Sequence, residues 1–310
     1  MNPLTPPVER RPLRDSVVLK LFLIGLLILI LLAPLGMVAL LIGEREHRHD
    51  DVVRAVAETW GGAQTLGGPV LTVPYREIVT DEKGKTQTLI YRAHFLPEAL
   101  TADGEVTPET RSRGIFDVVV YRAELRLRGS FRRPSFAAWP IDPKNVLWDE
   151  ATLSFGIPDM RGIRRQAALQ WRGRPLALAP GGGVDGLWTT GLRVPIADLG
   201  KAEPGERFPF AIDLGLNGTG TLRFLPFGEQ TNVALRSTWP DPSFTGAFLP
   251  GVRTVSEKGF TASWSIPYFG RGYPQQWLAS EADRVAPASA VQASAFGVDL
   301  YLPVDAYQKT

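Results

Sequence analysis

Site chemistry in this chain of 310 residues has to be built from few kinds of group. Cysteine is absent, which removes disulfide scaffolds, thiolate zinc sites, iron–sulfur clusters and cysteine nucleophiles in one step. Three histidines remain, His47, His49 and His94. His47 and His49 form an H-x-H pair on a segment with helical character, where residues two apart point roughly 200° from each other and cannot share a metal. They read as solvated histidines at headgroup level. A Ser-His-Asp triad would have to use His94, which falls in a predicted strand, Thr86–Leu96, near Arg92 and Phe95. There it reads as a half-exposed strand histidine. The 32 acidic residues offer many carboxylate pairs for acid–base work, but no spacing singles one out.

Gly181-Gly182-Gly183-Val184-Asp185-Gly186 matches G-x-G-x-x-G. A phosphate-binding version needs a strand before it and a helix N-terminus after it. Here Pro180 precedes and Leu187 to Gly191 follows without helical period, so a flexible loop is expected. No P-loop, G-x-S-x-G or H-E-x-x-H string occurs. No catalytic, cofactor-binding or metal-ligating residue is assigned, and no cofactor is expected. Asn217-Gly218-Thr219 matches a glycosylation sequon, but a turn role accounts for it. Arg132, Arg133, Arg161, Arg164 and Arg165 could attract anionic lipid heads or anionic wall polymers. A solvated face with local ion pairs is the stronger reading. Eight tryptophans invite a membrane-interface or sugar-binding reading, yet Trp60, Trp139 and Trp239 sit beside Pro or Gly, as corner-packing residues do.

The elements that would position these groups start with a membrane segment. Leu21 to Gly43 carries no charge and, as a helix, covers roughly 34 Å against a hydrocarbon core of about 30 Å. A cleaved signal peptide would have a shorter apolar run and a small-residue cleavage site, and Val38-Ala39-Leu40-Leu41 offers none. The run therefore reads as a retained anchor, residues 21–43, preceded by a basic Pro-rich tail, residues 1–20. Arg10, Arg11, Arg14 and Lys20 before the span, against Arg45, Arg48 and Arg54 after it, favour a cytoplasmic N-terminus slightly. The large remainder then lies outside the cytoplasm. Glu44/Arg48 and Arg54/Glu58 are i,i+4 ion pairs, and Val52, Val53, Val56 and Trp60 form one apolar stripe. A stalk helix over residues 44–60, stopped by Gly61-Gly62, is predicted.

From residue 61 to 310 the pattern has period two. Gly and Pro number 31 and 26, which suits many turns and short strands, and 44% hydrophobic residues suffice for a core. Leu71–Tyr75 and Thr86–Leu96 flank a polar turn at 81–85. Ala123, Leu125, Leu127, Gly129 and Phe131 alternate with polar residues, as in an antiparallel strand with one wet face. Gln166–Trp171 and Pro175–Leu178 flank Arg172-Gly173-Arg174 as a second hairpin. Asn217-Gly218 predicts a type I′ turn pairing Leu216 with Thr219, Leu214 with Thr221, Ile212 with Arg223 and Phe210 with Leu225. Further strands are expected at Thr231–Ser237, Phe260–Ile266 and Ala295–Leu302, and weak helix at Pro274–Ala293. No strand–helix alternation appears. The fold class is mainly β: an antiparallel, β-sandwich-like periplasmic domain of up to two sub-sheets, preceded by one transmembrane helix that continues as a stalk.

Several strings together resemble one family. Glu58-Thr59-Trp60-Gly61-Gly62-Ala63-Gln64 with Gly68-Pro69-Val70-Leu71, Gly129-Ser130-Phe131, Trp239-Pro240 with Phe244 to Pro250, and Phe296 to Gln308 are similar to the CreD inner-membrane proteins of Gram-negative bacteria. The resemblance runs along essentially the whole chain. It implies a plasma-membrane protein with one N-terminal span, a large periplasmic region and several further C-terminal spans. It also implies a role in cell-envelope integrity and stress response, linked to colicin tolerance. No enzymatic residue carries over. The family's hydrophobic return follows Tyr307-Gln308, and this chain stops at Thr310, before those spans. The expectation is a non-enzymatic anchored domain, partnered by the lipid bilayer and by a wall polymer, an anionic lipid or a membrane protein. A formal charge of +2 gives no reason to expect nucleic acid. The alternative is a hydrolase or transferase on envelope polymers with a carboxylate- or His-based site.

Overall fold

The computed structural model of the chain describes residues 17–80, 85–164, 167–181, 183–184, 186–279 and 286–302. The polar turn at 81–84, Arg165, Gln166, Gly182, Asp185, residues 280–285, most of the N-terminal tail and the end of the last family-like string lie outside them. The chain divides into two compact units, the first ending at Val52 and the second starting at Val53.

The first unit is helical. One helix, α1 (Val17–Trp60), carries the uncharged run, and its Leu, Ile, Val, Phe and Met side chains from Leu21 to Ile42 are exposed. Its most apolar window has a mean hydropathy of 2.9, enough to cross a membrane. Glu44 and Arg48 pair at 2.6 Å on its polar part.

The second unit takes in the last turns of α1 and seventeen strands among the described residues. In chain order these are β1 (Gln64–Thr80), β2 (Thr86–Phe95), β3 (Ala99–Arg113), β4 (Phe116–Arg132), β5 (Thr152–Gly156), β6 (Ala168–Trp171), β7 (Arg174–Ala177), β8 (Ala179–Pro180) and β9 (Gly191–Pro195). There follow β10 (Arg207–Thr219), β11 (Thr221–Phe224), β12 (Gln230–Ser237), β13 (Pro242–Gly246), β14 (Val252–Ser256), β15 (Gly259–Pro267), β16 (Gln276–Ala279), the helix α2 (Ala286–Ala293) and β17 (Phe296–Leu300).

Two sheets form. The first has the order β13-β17-β11-β1-β5-β9-β8, with β2 on β1 and β16 on β2. The second runs β14-β15-β12-β3-β4-β10-β6-β7. Most pairs are antiparallel, but β1 lies parallel to β11 and β12 parallel to β3, so each sheet is mixed. Alternation decides the faces. On β4, Val119, Tyr121, Ala123, Leu125 and Leu127 are buried while Arg122, Glu124, Arg126 and Arg128 are exposed. The inward residues of both sheets form one apolar cluster, and the Tyr121 hydroxyl bridges them by donating to the Thr221 carbonyl at 2.7 Å.

The Arg172-Gly173 hairpin occurs as expected, with Trp171 opposite Arg174 and positive φ at both turn residues (51° and 77°). The Asn217-Gly218 hairpin does not. Both residues lie inside β10, opposite Arg122 and Tyr121 of β4. Leu216, Leu214 and Ile212 face Ala123, Leu125 and Leu127 instead of Thr219, Thr221 and Arg223. The chain turns at Gly220 (φ 67°) and leaves for the other sheet, where β11 pairs with β1 and β17. Among its described residues, the segment read as weak helix holds strand β16 (Gln276–Ala279) near its start and helix α2 (Ala286–Ala293) at its end.

Candidate functional site

Two places in the second unit gather polar side chains into defined geometry. The first is the joint where α1 ends. Trp60 lies on the outer face of the second sheet. Arg111 sits over its ring at 3.8 Å and Arg122 at 5.4 Å, and its indole donates to the Tyr121 carbonyl at 3.3 Å. Arg111 is opposite Val118 and Arg122 opposite Thr107, so Trp60 covers the step between them, where Val120 is fully buried. Glu109 pairs with both arginines. The helix then stops at Gly61, and Arg161 donates to the Glu58 carbonyl at 3.0 Å, a favourable place for a cation. Asp159 holds Arg161 and accepts from the Gly62 amide at 2.8 Å. The Arg161 hydrogen bonds and the Gly62 amide keep the Asp159 carboxyl below its usual range. Gln64 donates to the Asp159 and Asn217 carbonyls, and the Thr219 hydroxyl to Gly61. The Glu58–Gln64 string is therefore structural, locking the helix end into both sheets.

The second is a cleft on the outer face of the first sheet. On β1, Leu71, Val73 and Tyr75 point into the core, so Thr72 and Pro74 point out. Register then lines up outward residues across four strands: His94 of β2 opposite Thr72, Thr72 opposite Thr152 of β5, and Ser154 opposite Arg193 of β9. A loop lids this face. Gly67 and Gly156 are register partners without side chains, and the Trp188 ring fills the space. A Cβ on Gly156 would come within 2.5 Å of that ring. Trp188 also stacks on Phe227, and Gln292 of α2 donates to the Leu187 carbonyl. The resulting cleft has a volume of about 290 Å³. Thr72, His94, Ser154, Arg92, Glu150 and Arg193 are among its lining residues.

His94 is not half-exposed, as its strand pattern predicts, but 1% exposed. Its Nδ1 is 2.9 Å from the Thr72 hydroxyl. Trp277 of β16 pairs with it across the strands and covers its ring at 5.2 Å. The Gly181–Gly186 string supplies part of the lid. Gly181 and Gly183 line the cleft, and Val184 bridges to Trp188 with no helix following, which rules out the phosphate-loop geometry. Arg132, Arg161 and Arg164 pair with Glu98, Asp159 and Glu124, and Arg133 lies over Trp148, as a face of local ion pairs should. Trp139 packs on Phe95 and Phe136, and the Trp239 indole donates to the Asp241 carbonyl, both corner roles. His47 and His49 lie on α1, and no metal-holding group of three His, Asp or Glu occurs among the described residues. Thr72, Thr152, Ser154, Arg92, Arg193 and Glu150 carried no motif. For those on strands the only sequence signal was the outward phase of four strands, which register brings together, while Glu150 reaches the cleft from the short turn Trp148–Glu150 before β5.

A family model described as "Inner membrane protein CreD" matches residues 16–310. Inner membrane protein CreD of Escherichia coli K12 is 31% identical over 286 residues, covering 91% of this chain and 61% of that protein. The chain thus spans about three-fifths of that relative's length. Among solved structures, a two-domain M1 zinc metallopeptidase mutant bound to L-arginine aligns over 55% of this chain and 40% of its own, at 10% identity and a TM-score of 0.23. That likeness is too slight to carry an argument.

Proposed function

As the chain belongs to the CreD family of inner membrane proteins, we propose that it is an anchored, non-catalytic binding module of the cell envelope. Residues 21–43 span the inner membrane, residues 1–20 lie in the cytoplasm, residues 44–60 form a stalk, and residues 61–310 work on the periplasmic side. The basic residues before the span support that orientation. The observation that carries the reading is the lidded cleft. It is polar, it sits on a rigid sheet face, and a docked loop shapes it, as binding sites generally are shaped. The joint at Trp60 would hold that cleft in fixed relation to the end of α1. Envelope integrity would then depend on the domain engaging an envelope component. Affinity purification of the full chain from membranes, with lipid and wall-fragment analysis, tests this. Specific enrichment of one component supports the reading, and recovery of the protein alone removes it.

A hydrolase or transferase reading rests on the Thr72–His94 hydrogen bond in the cleft wall. It requires His94→Gln to abolish turnover of an envelope polymer while binding persists. Intact polymer after incubation with the wild-type chain would sink it.

A further inference from the structure

We infer that the cleft takes an anionic oxygen group, a phosphate or a carboxylate, held by Arg193 with the hydroxyls of Ser154 and Thr152. This rests on the binding-module reading and names the ligand class of that same cleft.

Three observations converge. Ser154 is 4% exposed and lines the cleft. Arg193 stands opposite Ser154 in register and forms no ion pair among the described residues. Arg126, Arg132, Arg161, Arg164, Arg207 and Arg236 all do. Thr152, next outward on β5, adds a second hydroxyl to the same wall.

The chemistry follows from the donors. A guanidinium offers only donors, in a planar fork that matches two oxygens of a carboxylate or phosphate. Hydroxyls beside it can turn their protons to the same oxygens. Glu150 on the wall opposes a second negative charge, so the ligand carries one anionic group with neutral or cationic surroundings. About 290 Å³ admits a headgroup or a peptide terminus, not a polymer strand. Phospholipid headgroups and wall-peptide carboxylates share this chemistry.

The test is calorimetric titration of the purified full chain in detergent with three probes: inorganic phosphate, a short-chain phosphatidylglycerol and a muramyl pentapeptide. At least one binds, more weakly as salt rises. Arg193→Gln weakens it tenfold or more, Arg193→Lys less, and Ser154→Ala about threefold, with melting temperatures unchanged. Tighter lipid than pentapeptide binding identifies a headgroup, and the reverse identifies a wall peptide. The assignment is overturned if the folded wild type binds no probe, or if Arg193→Gln binds as tightly as wild type. Membrane pull-downs separate the two levels. If Arg193→Gln still enriches the same envelope component as wild type, the module reading survives and the cleft assignment falls. If wild type enriches nothing, the module reading itself falls.

Discussion

The ring of Tyr121 passes directly over the backbone of Gly218, its register partner on the neighbouring strand. A Cβ built on Gly218 would lie 2.2 Å from both the ring Cζ and the hydroxyl oxygen. That close approach lets the fully buried phenol reach across to Thr221 in the other sheet. Burial pushes the Tyr121 hydroxyl's pKa well up, so it stays a donor at any working pH. Gly218→Ala is therefore expected to destabilise the β-rich unit by about 2–3 kcal/mol, because the ring has nowhere to move. Tyr121→Phe loses one hydrogen bond and should cost about 1 kcal/mol. Urea unfolding followed by circular dichroism measures both, and a Gly218→Ala midpoint equal to wild type would refute the packing argument.

The same pair shows what the sequence could and could not tell. Asn217-Gly218 has the composition of a hairpin turn, and local propensity points there. The structure uses the glycine for its missing side chain instead, a tertiary reason set by Tyr121, nearly a hundred positions earlier. The true I′ turn fell on Arg172-Gly173, where local chemistry and tertiary pairing agree. Stretches with one wet face, such as residues 121–128 of β4, were legible because burial alternates along them. The helix end at Gly61 was legible for a similar local reason. His94 was misjudged because its cover, Trp277, sits on a short strand more than 180 residues on. The cleft was invisible because four strands had to be registered before its hydroxyls and arginines met.

The joint predicts a selective loosening. Each cation–π contact on Trp60 contributes about 0.5–1 kcal/mol. Trp60→Ala should leave the melting of the β-rich unit within a few degrees of wild type. It should speed proteolytic cleavage between residues 53 and 62 several-fold, and Trp60→Phe should restore most of the protection. Equal cleavage of all three proteins would show that Arg111 and Arg122 do not clamp the helix end.

Acid sensitivity should trace partly to Glu98. Hydrogen bonds from Arg207 and then Arg132 pull its carboxyl down to about 2 from an ordinary 4.5. A depressed acid pKa stabilises the fold above the unfolded value, and that contribution disappears as pH falls through the folded one. Glu98→Gln should thus be less stable than wild type by about 1 kcal/mol above pH 5. The two should converge as pH drops from about 4.5 to 2. Urea midpoints across that range decide it, and a gap that persists at pH 2 would assign the difference to packing.

Arg271 makes the strongest demand on the core. It is 3% exposed, and its Nη1 donates to the carbonyls of Pro226, Phe227 and Gly228 at 2.9, 2.7 and 3.0 Å, while Nη2 donates to Gln275. Burial lowers its pKa, yet the guanidinium still carries its charge, and Tyr273 lies 4.6 Å from it. Burial likewise raises the Tyr273 hydroxyl to about 12, so no phenolate competes. The three carbonyls lie in the segment just after β11, and the Tyr273 hydroxyl also donates to that of Pro226 at 3.1 Å. Arg271→Met removes the charge but leaves the acceptors buried without their donor, so it should cost about 3 kcal/mol or more. Arg271→Lys keeps a charge but cannot span the same arc from one planar fork, and should recover less than half of that loss. If Arg271→Met unfolds at the wild-type urea concentration, the carbonyl cradle is satisfied by solvent and contributes nothing to the fold.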